Sequence, residues 1–122
     1  GVLGNVADRG AQIGERLAVL RGKPWVRDVR GVGLMWGVEL ADPATGRPAG
    51  RLAERVQSTA LRRGLIVELG GREDAVVRML PPLNVTADVV DVACDILVDA
   101  VGTCTAEIAA ATRGAGAPAA GE

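Results

Sequence analysis

A chain of 122 residues is long enough for one domain with a modest core and too short for two. Hydrophobic residues make up 48% of it but aromatics only 2%, so the core has to be built from Val, Leu, Ile and Ala. Fourteen basic residues stand against fifteen acidic ones with no Lys/Arg block or basic-aromatic stripe, which argues against a nucleic-acid partner. Histidine is absent, which removes any Ser-His or Cys-His nucleophile pair from within the chain. Cys94 and Cys104 match neither a zinc spacing nor a CxxC redox motif, so both read as reduced thiols and no metal ligand is expected. No apolar run approaches the roughly 20 residues of a membrane span, and no signal segment opens the chain. A soluble, cytoplasmic domain is the expectation.

Leu3, Val6, Ile13, Leu17 and Leu20 recur at helical spacing and predict an amphipathic helix over residues 2–21, stopped by Gly22 and Pro24. Gly4, Gly10 and Gly14 each weaken it by roughly 1 kcal/mol relative to Ala, so it depends on packing against something larger. That dependence, and a start at Gly1 without Met, read as a piece of a longer protein. Residues 29–40 form a strand pattern containing Gly31, Gly33 and Gly37, where strand glycines mark close backbone approach. A turn-rich loop at 42–48 precedes a second helix over about 50–63, with Leu52, Ala53, Val56, Ala60 and Leu61 as its apolar stripe and Gly64 at its stop.

Leu65–Leu69 and Val76–Leu80 are two short apolar strands joined by a charged turn at Gly70-Gly71-Arg72-Glu73-Asp74, and so predict a hairpin. Pro81-Pro82 ends the sheet. Thr86 caps a third helix buried along Val89, Ala93, Ile96, Leu97 and Ala100, with Asp88, Asp91, Asp95 and Asp99 on the solvated face. From Thr103 the Ala- and Gly-rich chain has few large apolar groups, and residues 103–122 are expected to form a disordered tail after a domain over 1–102. The order helix, strand, helix, strand, strand, helix predicts an α+β, two-layer fold with helices on one face of a small, mainly antiparallel sheet.

Within this frame Arg78 stands out, a permanent charge in an apolar strand expected to be buried. Taking a guanidinium out of water costs on the order of several kcal/mol unless an anion meets its fork. Two readings of the residue stand: an ion pair inside the fold with Glu39 or Glu68, or the capture of an external carboxylate. Lys23, the single lysine, lies in a Gly-Lys-Pro turn without the apolar pocket that activates a nucleophilic amine.

Three features in order, Arg-Gly-Val-Gly-Leu-Met-Trp-Gly-Val-Glu-Leu at 30–40, Arg63-Gly64-Leu65-Ile66-Val67, and Val77-Arg78-Met79-Leu80-Pro81-Pro82-Leu83, resemble the C-terminal small domain of class III aminotransferases. These are pyridoxal-phosphate enzymes of fold type I. The segment from Gly70-Gly71 to Leu83 looks most like that of diaminobutyrate-2-oxoglutarate transaminases. The resemblance implies that Arg78 binds a substrate carboxylate, that of 2-oxoglutarate or glutamate, opposite an amino donor such as L-2,4-diaminobutyrate. It implies equally that the Schiff-base lysine, the phosphate-binding loop and the acid that meets the pyridine nitrogen belong to a large domain outside this chain. No catalytic, cofactor-binding or metal residue is therefore expected here, and the parent is expected to be a homodimer or a multiple of one. Siblings acting on ornithine, acetylornithine or 4-aminobutyrate stay open, as does a stand-alone carboxylate-binding module.

Overall fold

The computed structural model describes residues 1–120, with side chains described up to residue 111. Helix α1 (Val2–Leu17) runs into one 3-10 turn (Ala18–Leu20) and ends at Gly22, whose φ of +83° suits glycine alone. Strands β1 (Val26–Val32) and β2 (Met35–Leu40) follow as a hairpin, then helix α2 (Gly50–Arg62), strands β3 (Glu68–Gly70) and β4 (Val76–Met79), and helix α3 (Ala87–Ala120). The sheet is antiparallel throughout with strand order β1-β2-β4-β3, so β4 lies in its interior.

The stretch expected as one strand over 29–40 is thus two. Gly33 takes the first position of a two-residue turn at φ +58°, the conformation such hairpin loops require of that position. Apolar residues on both sides of the turn hid it from the hydropathy pattern. The α-β-α-β-β-α order therefore gains one strand, while the α+β class and the antiparallel sheet stand.

One face of the sheet carries the core. Val29, Val38 and Val77 lie side by side in register and are buried under the helices with Ile13, Leu17, Val56 and Leu97. A register shift between Val26 and Asp28 lets both Val26 and Val29 turn inward despite their odd spacing. Trp36 fixes α1 on the hairpin. Its ring fills the place of side chains missing at Gly31 and Gly14, and its Nε1 donates to the Gly33 carbonyl at 3.0 Å. The close approach expected at Gly31 is thus to the Trp36 ring, whereas Gly33 serves the turn through its positive φ and Gly10 packs against the Gly33 carbonyl.

Helix α3 packs on α1 and α2 through Val90, Cys94, Leu97 and Val101. Its start is capped as expected, the Val89 amide donating to Thr86 Oγ1 at 3.3 Å, but Val89 itself is exposed and Val90 takes the buried place. Asp91 and Asp95, expected as plain solvated surface, both meet Arg16 of α1. The domain boundary expected after residue 102 falls inside α3, because Cys104 is in the core and Ile108 packs against it. Much of the remaining tail expectation falls on residues 112–122, outside the described side chains.

Candidate functional site

The pleat that buries Val77 and Met79 turns Arg78 the other way. The apolar run Val76–Leu80 had suggested a strand buried on both faces. On the other face Val76 is buried among its neighbours but Arg78 is exposed, so its charge costs little desolvation where it stands. Across the open face the register sets Arg30, Gly37, Arg78 and Glu68 in one row, with Asp28, Glu39, Val76 and Gly70 in the next. A shallow groove of about 430 Å³ runs between Arg30 and Arg78, floored by Gly37 and Val76 and bordered by Val32 and Met35.

The two arginines of this groove differ in what they hold. Arg30 is committed: its Nη1 donates to Glu39 at 2.6 Å and to Asp28 at 3.0 Å, and these bonds, Glu39 first, raise its pKa above the usual guanidinium value. Arg27 stands 3.6 Å from the other oxygen of Glu39, so both oxygens of that carboxylate face arginines other than Arg78. Glu68 is the direct register partner of Arg78, yet no ion pair joins them. Among the described residues Arg78 has neither an ion pair nor a side-chain hydrogen bond. The internal pair with Glu39 or Glu68 is not formed. A guanidinium with five free donors on a rigid fork is suited to meet a carboxylate with two parallel hydrogen bonds.

Glycine shapes the ground around this fork. A Cβ at Gly70 would run into Cζ and Nη1 of Arg78, and one at Gly37 would sit 3.8 Å from its Cγ and 2.9 Å from Val76 Cγ1. The sequence marked Gly37 as a close approach but left Gly70 as the start of a turn. Its signal was the bare Gly-Gly pair itself, which did not say which neighbour needed the space.

Lys23 does not suit a cofactor aldehyde. It is exposed in the turn after α1 and borders a separate groove with Trp25 and the α3 residues Val98, Val101 and Thr105, away from the open sheet face. Pyridoxal phosphate therefore has no fitting anchor among the described residues. Nor do those residues gather three or more His, Cys, Asp or Glu side chains that could hold a metal, and no helix among them is long and apolar enough to cross a membrane.

Comparison with known proteins bears on the family and the fold. The family model for aminotransferase class-III matches residues 1–101. A diaminobutyrate-2-oxoglutarate transaminase of Nocardia farcinica is 37% identical over 98 residues, covering 80% of this chain and 21% of that protein. Acetylornithine aminotransferase 1 of Bordetella pertussis is 41% identical over 99 residues, covering 80% of this chain and 22% of that protein. The solved omega transaminase of Pseudomonas jessenii in complex with PMP shares the fold at a TM-score of 0.79 and 24% identity, over 88% of this chain and 24% of that one. The chain spans about a fifth of the length of the curated relatives it matches. With the family model matched over residues 1–101, the chain belongs to the class-III aminotransferase family.

Proposed function

We propose that this chain is the C-terminal small domain of a pyridoxal-phosphate-dependent aminotransferase, and that Arg78 holds the carboxylate of 2-oxoglutarate or glutamate. The observation that carries the reading is the unpaired fork of Arg78 on the open sheet face, beside an arginine whose own carboxylates are already bound. Its role is orientation and selection: two parallel hydrogen bonds fix the plane of the acid, and fixed geometry lowers the barrier without any proton moving at Arg78. The amino donor is a diamino acid, L-2,4-diaminobutyrate, a reading supported by the names of relatives in Rhizobium meliloti and Nocardia farcinica. Acetylornithine as donor is the second reading, favoured by the acetylornithine aminotransferases of Bordetella pertussis and Gloeobacter violaceus.

The cofactor, its Schiff-base lysine and the contacts to the far end of the donor belong in this reading to a large domain outside the chain, in a parent that works as a homo-oligomer. In the enzyme that carries this domain, Arg78→Ala should raise the KM for 2-oxoglutarate on the order of 10- to 100-fold, the range of a lost charged hydrogen-bond pair. The KM for the amino donor should move by less than about threefold, since a donor held elsewhere loses no such bond. Steady-state kinetics with each substrate varied in turn checks this, and equal losses for both would remove Arg78 from the role.

A further inference from the structure

Glu68 and Arg78 face each other in register on the same side of the sheet. Opposite charges in such positions have Cβ atoms about 4.5–5.5 Å apart and pair readily. Arg78 nevertheless leaves Glu68 alone and turns toward Gly70, the next residue of β3 on that face. There the guanidinium occupies the volume a side chain would fill: a Cβ would overlap Cζ and Nη1 and lie 3.0 Å from Nη2. Gly70 is not among the positive-φ glycines, so its backbone has no need of glycine. What the position requires is the empty space. Val76, its register partner, is drawn down between Gly37 and Gly71 and leaves that space open.

We infer that Gly70 is a positioning residue that seats the guanidinium of Arg78 away from Glu68 and so keeps its fork free for an incoming substrate carboxylate. The inference rests on the role proposed for Arg78. An exposed Arg-Glu pair is weak, so a gap that accepts the guanidinium is enough to decide between the two seats. Filling the gap leaves Glu68 as the competing partner. The apparent affinity for an external carboxylate then falls by the fraction of time Arg78 spends paired.

The experiment uses the 122-residue chain, labelled with nitrogen-15 and titrated with 2-oxoglutarate while the backbone amide resonances of β3 and β4, present in every variant, are followed. Gly70→Ala should raise the dissociation constant about three- to sixfold, as expected when a weak surface pair holds the fork most of the time. Adding Glu68→Gln to that variant should bring it back to within about twofold of the parent, since the competing carboxylate is gone. Glu68→Gln alone should change binding by less than about twofold, as for a charge that is not paired. Unchanged binding in Gly70→Ala, or failure of Glu68→Gln to restore it, overturns the inference. Should Gly70→Ala not fold, the single variant decides: a roughly threefold or greater tightening by Glu68→Gln would mean that Arg78 is already paired. Arg78→Ala separates the two claims. If it leaves binding intact the substrate-carboxylate role itself fails, whereas its loss of binding beside an unaffected Gly70→Ala removes only the role of Gly70.

Discussion

Cys94 is fully buried near the start of α3, and burial pushes its thiol up to about 11 from an ordinary 9.0, with Arg16 opposing and Asp91 and Asp95 adding to the rise. A thiol that stays protonated is a poor nucleophile and a poor metal ligand, which fits the packing role its spacing suggested. The shift also has a sign in stability. Below about pH 9 both folded and unfolded thiols carry their proton; between about 9 and about 11 only the unfolded one loses it, so stability falls across that window. The loss by pH 11 should be on the order of 1–3 kcal/mol in denaturant titrations, and Cys94→Ala should flatten it. A profile equally steep in that variant would assign the loss to other groups. At Arg78 the same scale gives the opposite lesson. The residue type pointed to a carboxylate partner, but whether that partner lay inside the fold depended on Glu39 being held by Arg27 and Arg30 and on Arg78 turning away from Glu68 toward Gly70.

Helix α1 shows how one element can carry glycines with different duties. Gly4 has open space around it, whereas a Cβ at Gly14 would lie 2.6 Å from the ring of Trp36. Alanine is the better helix former by roughly 1 kcal/mol in either place. Gly4→Ala should therefore stabilise the chain by about 0.5–1 kcal/mol. Gly14→Ala should destabilise it by about 1–3 kcal/mol, because the ring has to leave its seat over Gly31. Thermal melts of the two variants check the pair of signs, and a stabilising Gly14→Ala would mean that Trp36 is not what docks this helix. The sequence made the helix legible through its 3.6-residue period and made its need for a partner legible through its glycines. It did not reveal that the partner is a hairpin, since Val32 and Met35 are apolar on both sides of the Gly33 turn and read as one strand.

At the scale of the molecule, a four-stranded antiparallel sheet needs only one covered face. The open face carries Arg30 and Arg78 as well as the exposed side chains of Val32 and Met35, while Ile66, Leu80 and Val89 border an apolar groove of about 240 Å³ near Pro81-Pro82. With Lys23 exposed and distant from the open face, the chain should not retain pyridoxal phosphate: mixed with it and gel-filtered, it should carry no imine absorption band. A surviving band lost in Lys23→Ala would show an anchor that its surroundings do not suggest.

Hydropathy period and turn residues in the sequence determined the helices, the second hairpin and the α+β class, because burial on one face leaves a repeat that needs no knowledge of neighbours. Residue order and type likewise singled out Arg78 and excluded catalysis by histidine. The tertiary structure decided which face Arg78 occupies, which carboxylates were already taken, that Gly70 stands beneath its guanidinium, and that Cys104 belongs to the core. Each of these depends on which residues meet across strands and helices distant in sequence, and a linear pattern holds no record of that pairing.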